Sequence, residues 1–262
     1  MRTALALVIV ALAPAIGVAA PLSNPAFLGI SMAQSQLPGP VVIASITAGS
    51  PASHAGFLVN DIILRIDGAS VQSPQEAIQT ITAKHPGDTI DIDVRRGGAI
   101  ERISSRLSTR AEVLFQRIGG HIFESGELVA GDGQVYDLAE PRGHATIVGF
   151  VTSACIGCDR VFARLDRWTR KHPGSIALAI TNAEGPDLKS MRRTFDVPVV
   201  ESNETRANQL FLFEEPERMH VIVIDSRGEV QFVAPIAPQS DDVDIAIDEV
   251  LAAAEQAQRP RR

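Results

Sequence analysis

Cys155 and Cys158 are the two cysteines of the chain, and two residues separate them. A pair so close closes a tiny loop and staples little of a fold. It therefore reads as chemical rather than structural, unless it holds a metal. In redox work the attacking species is the thiolate. A helix N-terminus favours a thiolate with about half a positive charge and free N–H donors. In that role Cys155, the exposed first cysteine, attacks a substrate disulfide, and Cys158, one helical turn on and shielded, resolves the mixed intermediate.

The neighbouring elements supply that placement. Ala145 to Val151 is an apolar run with β-branched residues, as expected of a buried parallel strand. Thr152-Ser153-Ala154 leads to Cys155, and a helix is expected from about Ile156 to Lys171. Its apolar positions Val161, Phe162, Leu165 and Trp168 fall at helical spacing. Ile176 to Ile180 reads as a second parallel strand, Pro186 to Phe195 as a helix, and Val199-Val200 with Asn203 to Leu210 as a short strand and helix. Val221 to Ile224 and Val230 to Val233 read as strands around the turn Asp225-Ser226-Arg227-Gly228. Asp241 to Ala254 closes the chain as a helix with Val243, Ile247, Val250 and Leu251 inward.

This order of strand, Cys-x-x-Cys helix, strand, helix, then Val-Ile-Val-Ile-Asp225-x-x-Gly228, resembles the exported thioredoxin-like proteins of the TlpA and ResA type, over roughly residues 120 to 255. The resemblance implies a thiol–disulfide oxidoreductase with Cys155 and Cys158 as catalytic residues, needing no cofactor beyond their own disulfide. Three positions depart from the family. Ala154 stands where Trp usually precedes the first cysteine, Ile156-Gly157 fills the inner dipeptide where Pro is common, and Met219 takes the place of the cis-proline. A cis bond before a non-proline residue costs about 2.5–4 kcal/mol, so trans geometry is expected at Met219. With Met219 beside the pair, Cys155, Cys158 and Met219 form a soft sulfur set suited to Cu(I), with His220 as a further candidate. That makes copper handling one alternative to redox catalysis; the other is a non-enzymatic peptide-binding adaptor with an idle cysteine pair. His54, His85, His121, His144 and His172 show no ligand spacing.

Upstream, Val41-Val42-Ile43 and Asp61 to Ile66 read as strands, and Asp67-Gly68 as a hairpin turn. Pro74 to Lys84 reads as a helix with Ala77, Ile78 and Ile81 on one face. Thr89 to Arg95 and Ile100 to Leu107 are further strands, the first with Ile90, Ile92 and Val94 on one side. The stretch resembles a PDZ domain of the kind attached to HtrA-type proteases. The resemblance rests on Phe27-Leu28-Gly29-Ile30, Ser50-Pro51-Ala52 with Ala55-Gly56, Asn60-Asp61-Ile62-Ile63, and Asp67-Gly68. It implies that Phe27, Leu28, Gly29 and Ile30 form a carboxylate-binding loop. A peptide C-terminus would then add as a strand beside Ile30 to Ala33, its last side chain entering a pocket lined by Leu28, Ile30, Ile78 and Ile81. No Gly-x-Ser-x-Gly occurs in the chain, so the domain is expected to act as an adaptor.

Bulk properties agree with an exported two-domain protein. The 262 residues are 45% hydrophobic and 21% charged, enough for two cores, and the net charge of −7 argues against a nucleic-acid partner. Met1-Arg2, the apolar run Ala4 to Ala13 and the small residues Gly17 to Ala20 have the layout of a secretory signal peptide. Cleavage after Ala19 is favoured, with an uncleaved membrane anchor as the alternative. The expected fold class is a PDZ domain, a mostly β partial barrel with two helices, followed by an α/β thioredoxin-like fold. The expected division is signal peptide 1–19, PDZ domain 25–108, linker 109–127, thioredoxin-like domain 128–256 and disordered tail 257–262. The expected location is the periplasm. The expected partners are an exported protein or peptide C-terminus and a thiol–disulfide partner protein, with no transmembrane segment after cleavage.

Overall fold

A computed structural model describes residues 25–34, 39–140, 143–202 and 218–258. The segment read as a signal peptide, the short helix expected at Asn203 to Leu210, and Arg259 to Arg262 lie outside the described residues.

The first half forms an antiparallel sheet. Its strands are β1 (Ile30–Ala33), β2 (Val41–Ile46), β3 (Ile62–Ile66), β4 (Ala69–Ser70), β5 (Thr89–Arg96) and β6 (Ala99–Arg106). The order is β1-β2-β3-β5-β6, with β4 paired to β3 across the Asp67-Gly68 turn, so β1 is an edge strand. Two helices cover the sheet: α1 (Pro51–Ala55) and α2 (Pro74–Thr82). Both start the same way, with Ser50 and Ser73 as side-chain N-caps and a proline in the first turn. Period-two alternation buries Ile90, Ile92 and Val94 in one apolar cluster with Leu28, Ile63 and Ala77.

Two aspartates are buried in this half. Asp61 receives a two-pronged contact from Arg96, at 2.8 and 2.7 Å, and the Leu58 N–H at 2.9 Å. Arg102 clamps Asp93 in the same way, at 2.8 and 3.2 Å. Burial alone would raise the pKa of Asp61, but its hydrogen bonds and the Arg96 charge outweigh this and hold it below the usual carboxylate range. Asp93 is held low chiefly by its hydrogen bonds from Arg102, against the opposing effect of burial.

The stretch expected as a connector carries a helix, α3 (Arg110–Ile118). A capping box starts it: Thr109 accepts from the Glu112 N–H while Glu112 accepts from the Thr109 N–H. Its apolar face, Val113, Leu114 and Ile118, packs on the second sheet rather than on the first.

That second sheet has the order β11-β10-β9-β12-β13. Its strands are β9 (Thr146–Val151), β10 (Ile176–Thr181), β11 (Val199–Glu201), β12 (Met219–Ile224) and β13 (Val230–Ile236). A small hairpin of β7 (Glu127–Val129) and β8 (Val135–Asp137) precedes it. Strands β9, β10 and β11 run parallel, and β12 and β13 are antiparallel to their neighbours. Helices α4 (Cys158–Thr169), α5 (Gly185–Thr194) and α6 (Val243–Ala257) complete the half. One face packs on α4 and α6, and the other on α3 and the β7–β8 hairpin. With both faces covered, every residue of β9, β12 and β13 is buried. Arg164 of α4 ties the outer layer together, reaching Asp244 and Asp248 of α6 at 2.5 and 2.6 Å.

Two of the boundaries that differ from the sequence reading bear on the site. Strand β12 begins at Met219, because Met219 and His220 pair with Ile236 and Pro235 of the longer β13. Helix α4 begins at Cys158, because Gly157 before it is left-handed, at φ 86°. No helix among the described residues is long and apolar enough to cross a membrane.

Candidate functional site

Two candidate centres emerge, and they lie at the same end of the second sheet.

The first is the loop that enters β1. Phe27 bridges to Ser108 by two backbone hydrogen bonds. The carbonyls of Leu28 and Gly29 then turn inward and accept from the Ala52 and Thr47 N–H groups, at 2.9 and 2.8 Å. In each peptide unit the N–H points opposite to the carbonyl, so the Gly29 N–H faces away from the Ala52 contact, and among the described residues the Leu28 and Gly29 N–H groups donate to no acceptor. Successive free N–H groups of this kind form an anion cradle. Gly29 makes the turn possible. Its φ is 86°, and a Cβ there would overlap the Ser50 side chain, which is fully buried and caps α1.

Beside the loop, between β1 and α2, lies a cavity of about 240 Å³. Leu28, Ile30, Ile78 and Ile81 all border it, as does Phe27. Ile81 is buried, whereas Ile78 is 50% exposed on an otherwise packed helix face. The free edge of β1 runs along the same opening, so an extended chain could pair with it. Three further residues at the cavity, Arg110, Arg218 and Pro235, come from beyond the first sheet. Nothing in the sequence pattern placed them there. The Thr109-x-x-Glu112 capping box could have revealed the helix that carries Arg110, but not where it docks.

The second centre is the cysteine pair. Cys155 and Cys158 are joined as a disulfide, with Cα atoms 5.8 Å apart. The Cys155 N–H donates to the Thr152 carbonyl at 3.2 Å, which folds a tight turn off the end of β9. Cys158 opens α4 and is fully buried, while Cys155 is half-buried and Ile156 between them is 69% exposed. Cys155 thus keeps contact with solvent, whereas Cys158 has none. Both sit at the positive end of a twelve-residue helix, where a thiolate is favoured.

Met219 is fully buried in the apolar cluster that contains Cys158 and touches Cys155. Its Cε methyl, with the Phe162 ring, fills the space that a side chain on Gly149 would need. His220 follows it on β12, opposite Phe150 and Pro235. Strand alternation sends Met219 and His220 to opposite faces of the sheet, so the two do not converge on the cysteines. Among the described residues, no three His, Cys, Asp or Glu side chains cluster as a metal site. Asp225 organises the β12–β13 turn, accepting from the Arg227 and Glu229 N–H groups and from Gln231.

The end of β13 connects the two centres. Pro235 borders the cavity. Three residues on, the Pro238 carbonyl accepts from Arg160 of α4 at 3.5 Å, and Pro238 lies against Gly157, between the cysteines. Three residues of chain span at most about 11 Å.

Comparisons with known proteins bear mainly on the first half. Residues 26–107 match the PDZ domain family. Over 82 residues the chain is 28% identical to a probable periplasmic serine endoprotease DegP-like from Rhizobium meliloti (strain 1021). The match covers 31% of this chain and 15% of that protein. Among solved structures, the HtrA3 PDZ domain bound to a phage-derived ligand (FGRWV) is 21% identical, with a TM-score of 0.29, covering 32% of this chain and 85% of that one. A putative thiol:disulfide interchange protein DsbE from Chlorobium tepidum is 18% identical, with a TM-score of 0.41, covering 52% of this chain and 96% of that one. The second half is a further α/β unit, defined by its own mixed sheet and flanking helices.

Proposed function

We propose that this protein is an exported thiol–disulfide oxidoreductase of thioredoxin-like, TlpA/ResA-type fold whose PDZ domain captures protein C-termini. The observation that carries the reading is the asymmetry of the cysteine pair: a half-exposed Cys155, a buried Cys158, and a helix N-terminus beneath both. The Cys155 thiolate attacks a substrate disulfide, forms a mixed disulfide and releases one substrate thiolate, which takes up a proton. The Cys158 thiolate then attacks Cys155, expels the second substrate thiolate and leaves Cys155–Cys158 oxidised. Two electrons pass to the substrate, and the reverse sequence oxidises a substrate dithiol. Exposed Ile156 gives a partner an apolar contact beside the reacting sulfur. Export is supported by the signal-like N-terminus and by a relative described as periplasmic.

The test is a titration of the full chain in glutathione buffers, read by thiol trapping and mass spectrometry. A reversible Cys155–Cys158 couple is expected. Cys155→Ser should abolish exchange, and Cys158→Ser should accumulate a mixed disulfide on Cys155. A pair that never exchanges with glutathione or a protein disulfide overturns the reading.

One observation favours a second reading, in which the chain handles Cu(I): Met219 shares the apolar cluster of the cysteines. In that case the reduced pair binds one copper and Met219→Ala weakens the binding. Copper binding that is indifferent to Met219 rules this ligand set out.

A further inference from the structure

We infer that the placement of the two centres selects the substrate: an exported protein whose flexible C-terminal tail carries a disulfide-bonded cysteine within about 20 residues of its end. The inference rests on the capture and exchange readings above and adds to them which disulfides reach the pair.

The strand ladder sets the distance between the centres. Pro235 borders the cavity and pairs with His220 on β12, and His220 pairs with Phe150 on β9. Neighbouring strands lie about 4.8 Å apart, so Pro235 is about 10 Å from Phe150. Thr152 follows two residues after Phe150, and the Cys155 N–H closes a turn onto the Thr152 carbonyl. Such a turn keeps its ends within about 7 Å, and two extended residues span about 7 Å. Pro235 and Cys155 are therefore at most about 24 Å apart. The contact of Pro238 with Gly157 gives a second, equally short route from Pro235 to the cysteine turn.

The groove sets the path of the tail. Strand β1 runs from the loop at Gly29 out to Ala33 along a free edge. A chain whose end sits at the loop pairs antiparallel to β1 and leaves the groove near Ala33, about four residues upstream of its end. The second half adjoins the other end of the groove, where the Arg110 guanidinium lies 4.5 Å from the centre of the Phe27 ring. The tail must therefore fold back to meet Cys155. Residues held extended in the groove cannot do so, and neither can a stiff spacer that continues the line of β1. A flexible segment of about sixteen residues has a mean end-to-end length of about 22 Å, close to the gap, and can stretch to about 54 Å. It covers the gap even with the length of β1 added.

The chemistry is a reduction of the tail. The Cys155 thiolate attacks the tail sulfur, the tail's S–S bond breaks, and its former partner leaves as a thiolate that takes up a proton. The Cys158 thiolate then attacks Cys155 and expels the tail thiolate, which is protonated in turn. Two electrons pass from the cysteine pair to the tail disulfide, and a dithiol reductant restores the pair. Capture makes the first attack intramolecular, at an effective concentration in the millimolar range.

The experiment is a single turnover of the full chain, reduced beforehand, with micromolar peptides that end in two valines. Their cysteine carries thionitrobenzoate as a mixed disulfide, and release of the coloured thiolate gives the rate. Binding of a cysteine-free, fluorescein-labelled version is read alongside by anisotropy. With about sixteen Gly/Ser residues between the cysteine and the last four residues, exchange should run at least about tenfold faster than with free cysteine bearing the same leaving group. An excess of cysteine-free peptide should remove the gain. A cysteine within the last four residues, or a proline spacer of the same length, should show none. Peptides that bind but react no faster than free cysteine overturn the inference and leave capture intact. So does a gain that is equal with flexible and proline spacers, since reach would then select nothing. A chain that binds no peptide overturns the capture reading and the inference together. A chain that does not react with the free cysteine disulfide overturns the exchange reading and the inference with it.

Discussion

Under the proposed function, the Phe27–Ile30 loop and the cysteine turn do different kinds of work with different parts of the chain. The loop acts through its main chain. The Leu28 and Gly29 N–H groups are the donors, and the side chains around them supply shape. The cysteine turn acts through two sulfur atoms, and its backbone only delivers them to the start of α4. A site made of backbone tolerates most changes of side chain but not a change of backbone conformation. A site made of side chains has the opposite weakness. Each can therefore be disabled without touching the other.

The largest expected effect is at Gly29. Gly29→Val forces a β-branched residue into φ 86° and drives its Cβ into Ser50, so the N–H pair must turn away. Peptide affinity should fall by at least about a hundredfold, with thiol–disulfide exchange of a small disulfide unchanged. Parallel loss of both activities would show that the two halves are not separable in this way.

Next is Gly149 on β9, a glycine needed for space rather than conformation. A Cβ there meets the Met219 methyl and the Phe162 ring under the cysteine turn. Gly149→Ala should destabilise the second half by about 1–3 kcal/mol, the usual cost of overpacking. Denaturant unfolding followed by Trp168 fluorescence reads this directly, since Trp168 is the single tryptophan and lies in that half. Peptide affinity should hold. An unchanged midpoint would mean that Met219 yields freely.

Acid should separate the halves by sign. Asp61, Asp67 and Asp93 all have lowered pKa values, and all lie in the first half. A lowered folded pKa gives stability that is present above the unfolded value, about 4, and lost as the pH falls through the folded one. In the second half burial raises the pKa of Glu249. Its protonation favours the folded form, so mild acid strengthens that half between the unfolded pKa and the raised one. As the pH falls through the raised Glu249 pKa toward the unfolded carboxylate value of about 4, the Trp168 midpoint should rise slightly, and Glu249→Gln should remove the rise. Below about pH 4 peptide binding should fail first. A first half that outlasts the second in acid contradicts this division.

The two sites were unequally legible in sequence. The cysteine turn could be read because everything it needs is local: a buried strand, two cysteines and an amphipathic helix within about 25 residues. The exact start of α4 was missed, since Gly157 had to be seen as left-handed. The loop and its apolar pocket could be read from short patterns such as Ser50-Pro51-Ala52 and the Ile78, Ile81 face. Arg110, Arg218 and Pro235 could not, because they reach the pocket through the packing of α3, β12 and β13. Helix α3 itself was hidden by its shortness and by Gly119-Gly120 after it, although Thr109 and Glu112 mark its start.

The smallest expected effect is on the fold when the disulfide is reduced. Loop-closure entropy for so short a loop gives no more than about 2 kcal/mol. Cys158 stays surrounded by apolar neighbours whether or not its sulfur is bonded, as its complete burial beside Val161 and Phe162 requires. The reduced chain should therefore unfold cooperatively with a slightly lower Trp168 midpoint, and should bind peptide as the oxidised chain does. A pair that can change state without unfolding its own scaffold is suited to repeated exchange. Collapse of the second half on reduction would instead make the bond a structural staple, and the contrast between the two sites would reduce to two ways of holding one fold.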